Sequence, residues 1–228
     1  MIPLIIENSS YHNQFNIFSD RIEAGKVLAS YIKDYKIDLL LAIPNGGIPI
    51  ALSLIKEVNI PEFNLLFIRK IKIPWNTEAG FGALTPDGQI FLNNELVSYY
   101  QLEEPSIEKQ ITFAREAISQ RQQLYNLDPF DAKNKTILVT DDGIASGFSM
   151  IAGCHWLKQL GALQIIIGVP TAPSSSLKRI AKQNVVNKII CLNLRDIYPF
   201  AVADAYQHWY DVPESEVLAI LKEIREFV

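Results

Sequence analysis

The residues best suited to chemistry are two adjacent carboxylates, Asp141 and Asp142, followed by Gly143-Ile144-Ala145-Ser146-Gly147 and then Phe148 and Ser149. Acids can accept hydrogen bonds from hydroxyl groups. A small-residue turn can bring backbone N–H groups close to an anion, and the N-terminal end of a following helix adds partial positive charge. The two functions fit together if the ligand is a sugar phosphate, with hydroxyls on the carboxylates and the phosphate on the amides. A second candidate stretch is Pro44-Asn45-Gly46-Gly47-Ile48-Pro49, where a glycine pair implies close backbone approach or an unusual dihedral. Arg69 and Lys70 offer cations that could offset charge on a leaving group, and Glu78 offers a carboxylate that could take a proton.

The elements that must position these residues read as alternating strands and helices. Thr136 to Val139 is a β-branched apolar run of the kind buried on both faces of a parallel sheet, and Ser149 opens a helical pattern with Met150, Cys154 and Leu157 on one face. Alternation along a strand end predicts that Asp141 and Asp142 point different ways. Asp38 to Ile43 is a buried strand leading into the glycine pair. Pro49 suits the first turn of the next helix, and Phe63 to Ile68 is a further strand closed by Arg69 and Lys70. Asp20 to Glu23 has capping-box spacing at the start of a helix. From Lys72 to Asn94 the periodicity breaks, predicting a long, lid-like excursion with a hairpin turn at Asp87-Gly88. A helix over 106–125, a strand over 164–169, a helix over 174–183, a strand over 188–194 and a helix after Pro213 complete the pattern. The expected fold is α/β: one domain over residues 1–228 with an open, mostly parallel sheet of about five strands flanked by helices. A small aromatic hood is expected over about 195–212, where Tyr198, Phe200, Tyr206 and Trp209 form either a stacking wall for a planar base or a packing seam.

Composition narrows the function. The chain has 228 residues, 49% hydrophobic and 20% charged, with a net charge of −4 that argues against broad nucleic-acid binding. No apolar run approaches the roughly 20 residues of a membrane span, and Met1 to Ile6 lacks the basic lead of a secretion signal. Cys154 and Cys191 read as buried free thiols, which suits a reducing cytoplasm. His12, His155 and His208 lack metal-ligand spacing and read as structural or exposed. A phosphohydrolase or a Rossmann oxidoreductase is disfavoured, since no Gly-x-Gly-x-x-Gly follows a strand and no Walker lysine is present.

A hydrophobic strand, two acids, a small-residue loop with a hydroxyl residue and then a helix resemble the 5-phosphoribosyl-1-pyrophosphate (PRPP) loop of the type I phosphoribosyltransferases. Nearly the whole chain from Phe18 onward is similar to a subgroup of predicted prokaryotic phosphoribosyltransferases of unassigned base substrate. The likeness is carried by Phe18-Ser-Asp20-Arg21-Ile-Glu23-Ala24-Gly25, Pro44-x-Gly46-Gly47-Ile-Pro49-Ile-Ala51, Arg69-Lys70 and Asn76-x-Glu78-x-Gly80-x-Gly82-Ala83. The resemblance implies that Asp141 and Asp142 hold the ribose hydroxyls and that residues 143–149 hold the 5-phosphate. Residues 45–47, with a cis non-proline peptide in the Pro44–Gly47 stretch, would face the pyrophosphate together with Arg69 and Lys70. Glu78 would take the proton from an attacking nitrogenous base. It also implies Mg²⁺ held mostly by pyrophosphate, ribose hydroxyls and water, with no metal site of the protein's own, and a homodimer. The chain departs from the group at Asn45, usually arginine, and at Phe148, usually small. These departures keep open a second reading, a non-catalytic PRPP- or nucleotide-binding regulatory protein. Ala145 stands where hypoxanthine–guanine enzymes carry an aspartate, which points away from that substrate class. Asp142→Asn is expected to reduce turnover sharply while leaving the melting temperature nearly unchanged.

Overall fold

The computed structural model describes residues 3–228 and all their side chains except those of Thr77, Glu78 and Ala79. Contacts divide the chain into two compact units. One comprises 1–66, 130–147 and 157–228; the other comprises 67–129 and 148–156.

The first unit is built on six parallel strands: β1 (Leu4–Ile6), β2 (Leu39–Ala42), β3 (Phe63–Leu65), β7 (Thr136–Thr140), β8 (Gln164–Pro173) and β9 (Lys188–Arg195). Their order is β1-β9-β8-β7-β2-β3. β7 lies in the middle, with Leu41 opposite Val139 on one side and Ile167 opposite it on the other. Ile137, Leu138 and Val139 are fully buried, which is why this stretch reads as a continuous apolar run rather than an alternating one. Helices α1 (Arg21–Ile32), α2 (Gly47–Glu57), α6 (Ser174–Ala181) and α7 (Glu214–Ile224) flank the sheet in this unit. Asp20 caps α1 by accepting from the Glu23 N–H at 2.9 Å, while the Glu23 carboxylate reaches back to the Ser19 N–H at 2.5 Å. The capping spacing therefore does set this helix start. The sixth strand, β1, is only three residues long and was beyond the reach of periodicity.

The second unit departs from the expected excursion. Arg69 and Lys70 do not end β3; they begin β4 (Arg69–Ile73), which pairs antiparallel with β5 (Asn76–Leu84), itself paired with β6 (Ile90–Leu92). The reason is the alternation Arg69-Lys70-Ile71-Lys72-Ile73, which buries Ile71 and Ile73 and leaves the cations half-buried. The hairpin turn between β5 and β6 falls at Asp87-Gly88 as expected, with Gly88 at φ 88°. Helices α3 (Asn94–Tyr99), α4 (Glu104–Tyr125) and the first nine residues of α5 (Phe148–Gln159) complete this unit. α4 packs on β4 and β5 and buries Ala114, Ile118 and Tyr125. Among the described residues no helix is long and apolar enough to cross a membrane.

Candidate active site

Asp141 and Asp142 follow directly on β7, at the carboxyl rim of the parallel sheet, where ligands of such sheets bind. They do not diverge as strand alternation predicts. The strand ends at Thr140, whose hydroxyl donates to the Gly168 carbonyl at 2.8 Å, and the chain then turns so that the Asp142 N–H donates to Asp141 Oδ1 at 2.9 Å. The two carboxyl groups are near enough for each to act on the other's ionisation. Loss of water and the neighbouring charge of Asp142 push Asp141 well above the usual carboxylate range. Burial also pushes Asp142 upward, with Arg21 opposing it. Both side chains remain partly open to solvent, Asp142 by 14%.

Arg21 is the residue that sequence reasoning missed. It is the first residue of α1 and only 5% exposed; its Nε donates to Asp142 Oδ2 at 2.8 Å and its Nη1 to the Tyr210 carbonyl at 2.9 Å. The guanidinium lies 4.0 Å from the centre of the Trp209 ring. Tyr206, buried against Phe18, donates its hydroxyl to the Asp142 carbonyl at 2.5 Å. Tyr206 and Trp209 thus form a packing seam around Arg21 and the acids, while Tyr198 is 79% exposed. The sequence did hold a signal, since Arg21 stands within the Phe18–Gly25 motif. Its partner is 121 residues away, however, and local pattern cannot find it.

The glycine pair meets the acids directly. A Cβ on Gly46 would lie 1.9 Å from Asp142 Oδ2, and one on Gly47 would lie 2.9 Å from the Thr140 carbonyl oxygen. Close approach is therefore what both positions require, since Gly46 sits at an ordinary φ of −62°. The Pro44–Asn45 peptide is cis. The side-chain amide of Asn45 donates to the Val212 carbonyl at 2.9 Å, anchoring the loop to the C-terminal segment. The 44–47 loop and the acid loop thus lie in direct contact within the first unit.

In the loop that follows, Gly143 is pressed against Val202 and Thr171. Ile144 does not offer its amide to a ligand: its N–H donates to the Thr171 carbonyl at 2.9 Å and its side chain is in the core. Ile144 is a packing residue, which corrects its place among the binding candidates. The N–H groups of Ala145, Ser146 and Gly147 donate to no described residue, and Ala145 and Ser146 are exposed. The Ser176 hydroxyl and Arg179 Nη1 each donate at 2.6 Å, to the Ala145 and Ser146 carbonyls, and Gly147 takes φ 82°; together these turn the loop's carbonyls away from its amides.

The remaining candidates belong to the second unit. Phe148 and Ser149 open α5, both half-buried. Arg69 and Lys70 line a cavity of about 220 Å³ with Lys72, Gln110, Phe113 and Ala114. The Arg69 guanidinium is pushed below its ordinary value by burial and by the facing charge of Arg121, and the Lys70 stem runs across Gly80. Glu78 lies in β5 by its backbone, and its side chain falls outside the described residues.

Among the described residues no cluster of three or more His, Cys, Asp or Glu could cage a metal ion. The donor set on hand is one carboxylate pair. That matches the way Mg²⁺ binds, through one or two carboxylates together with substrate phosphates and water.

An open parallel sheet whose central strand ends in paired acids, a small-residue turn and an adjoining cis-peptide glycine loop defines the type I phosphoribosyltransferase class of α/β domain. The chain belongs to the phosphoribosyl transferase domain family, whose model matches residues 11–203. It is 27% identical over 209 residues to a Mycobacterium tuberculosis H37Rv protein provisionally named phosphoribosyl transferase Rv0571c, covering 90% of this chain and 46% of that protein. The chain therefore spans about half the length of the curated relatives it matches. The crystal structure of the TT1426 protein from Thermus thermophilus superposes with a TM-score of 0.72 at 26% identity, covering 90% of this chain and 98% of that one. The AQ2163 protein of Aquifex aeolicus shares the fold at a TM-score of 0.50 and 13% identity, covering 82% of this chain and 78% of that one.

Proposed function

We propose that this chain is a Mg²⁺-dependent phosphoribosyltransferase that moves the 5-phosphoribosyl group from PRPP to a nitrogenous base and releases pyrophosphate. The observation that carries the reading is the contact between the 44–47 loop and the Asp141–Asp142 pair, beside three amides that donate to no described residue. Ala145, Ser146 and Gly147 N–H groups bind the 5-phosphate. Asp141 and Asp142 accept from the ribose hydroxyls and favour positive charge on the sugar as its C1–O bond to pyrophosphate breaks. Gly46 and Gly47 give the pyrophosphate backbone access, and Arg69 and Lys70 are the candidate cations for its charge. The base nitrogen forms the new bond to C1 and gives up its proton, for which Glu78 is the candidate acceptor. Bound Mg²⁺ would neutralise part of the charge on the pyrophosphate oxygens. Assembly as a homodimer and a cytoplasmic location belong to the same proposal, the latter supported by two buried free thiols.

A second reading, a non-catalytic PRPP- or nucleotide-binding regulator, is favoured by one observation. Asn45 spends its amide on Val212, so position 45 brings no cation to the pyrophosphate. The two readings separate in an assay with PRPP, Mg²⁺ and a panel of bases. Pyrophosphate release with at least one base supports transfer. PRPP binding without release from any base supports the regulator. No PRPP binding at all sinks the transferase and leaves the regulator only nucleotides as its ligand, to be tested by titrating them in the same way.

A further inference from the structure

β9 ends on a charge that the fold does not pair. Arg195, its last residue, is 1% exposed. Its Nη1 donates to the Gln14 carbonyl at 3.3 Å, while Nε and Nη2 are buried without a hydrogen-bond partner. Those two nitrogens form the side-on edge of the guanidinium, whose N–H groups point in parallel within one plane and match two acceptor atoms at once. One face of the group lies 3.8 Å from the centre of the Phe15 ring, and the Phe200 ring centre is 5.9 Å away. Phe15 is itself 50% exposed and so forms the outer cover.

An arginine cannot discharge to escape burial, and a buried unpaired donor edge is costly enough that native proteins rarely keep one without a use. No carboxylate among the described residues answers it: the neighbouring Asp196 faces His12 at 3.2 Å. The position is equally telling. Arg195 is the register partner of Pro173 at the carboxyl end of β8, and Thr171, two residues earlier on that strand, holds the Ile144 N–H of the acid loop. The unpaired edge therefore belongs to the same rim of the first unit as Asp141 and Asp142.

We propose that Arg195 is the specificity residue for the acceptor: its free edge takes an in-plane pair of acceptor oxygens on a planar ring held beside Phe15 and Phe200. The acceptor class is then a heterocyclic nitrogen base that carries a carboxylate. This rests on the phosphoribosyl-transfer reading and extends it to the base.

The test is equilibrium binding by calorimetry on wild type, R195Q and R195K, with and without PRPP and Mg²⁺. Orotate and nicotinate serve as carboxylate probes and adenine as the neutral comparison. Wild type is expected to bind at least one carboxylate probe about tenfold or more tightly than adenine. R195Q should lose about 10- to 100-fold for that probe and nothing for adenine, as expected for a charge-assisted bidentate contact. R195K keeps the charge without the planar fork and should fall between the two. Because R195Q removes the unpaired Nε–Nη2 edge and keeps an amide donor for the Gln14 carbonyl, it should melt close to wild type. If R195Q fails to fold, R195K carries the comparison. Adenine binding as tightly as both carboxylate probes, or variants that bind them like wild type, overturns the proposal. PRPP binding without a carboxylate preference sinks Arg195 alone. Failure of PRPP to bind sinks the transferase reading, while the probes titrated into free protein still judge Arg195.

Discussion

Asp142→Asn separates what the acid pair does from what holds it. Arg21 and Asp142 meet at 2.8 Å with side chains 5% and 14% exposed, so the pair is largely shielded from solvent. Asparagine keeps an acceptor for Arg21 but loses the charge. A hydrogen bond to a charged partner contributes about 1.5–3 kcal/mol against about 0.5–1.5 for a neutral one, and because burial opposes the Asp142 charge the net loss is at most about 1–2 kcal/mol. For a chain of this length that lowers the melting temperature by at most about 2–8 °C. Asp142→Ala leaves the guanidinium without its anion and costs about 3–5 kcal/mol, or roughly 6–20 °C. On the proposed transfer reading both variants should lose at least about 100-fold in pyrophosphate release, because the charge that would hold the ribose hydroxyls is gone. Adding Arg21→Met to Asp142→Ala should recover part of the lost stability and none of the activity. Calorimetric melts of the four proteins, read beside pyrophosphate release, decide the matter. If Asp142→Asn and Asp142→Ala both melt within about a degree of wild type, the ion pair holds nothing and Arg21 is a bystander.

Other outcomes follow from the same geometry. Asp141→Asn should raise stability at pH 8, since burial and Asp142 make its ionisation costly. A carboxyl whose folded value is raised contributes stability that is full below about pH 3.9 and is lost as pH climbs through the folded value, so the advantage should vanish in urea melts at about pH 4. Gly46→Ala should leave the circular dichroism spectrum unchanged yet cut turnover about 100-fold or more, because its Cβ would displace Asp142 Oδ2 from 1.9 Å away. Cys154, pushed up to about 12 by burial, and Cys191, pushed up further, should both resist a thiol reagent at pH 8. Both should react fully in denaturant; labelling of the native protein would count against the packing around them.

The parallel sheet was legible because its strands are buried on both faces. Continuous apolar runs such as Thr136 to Val139, alternating with capped helices, leave few other architectures. The glycine pair and the acids were legible as local motifs, and so was the cis peptide through the family likeness. Three things were not. The alternation Arg69 to Ile73 was read as the end of one strand because Pro74 and the glycines beyond it suggested a loop, whereas those residues shape an antiparallel sheet. The direction of Asp142 depended on Arg21, far off in sequence, which overrode strand alternation. Arg195 belongs to no motif in the sequence, and only the position of Gln14, Phe15 and Phe200 reveals that its edge is unmatched.

The pairing of β1 with β9 carries a consequence for how the molecule comes into being. Leu4 lies against Lys188, so the β1 segment has no partner until more than 180 further residues have followed it. Contacts of such long sequence separation are slow to close, and a nascent chain leaves that strip waiting on the ribosome or on a chaperone. A ribosome stalled before β9 is translated should therefore carry an arrested chain whose β1 residues are cut by protease, and synthesis of a few dozen more residues should protect them.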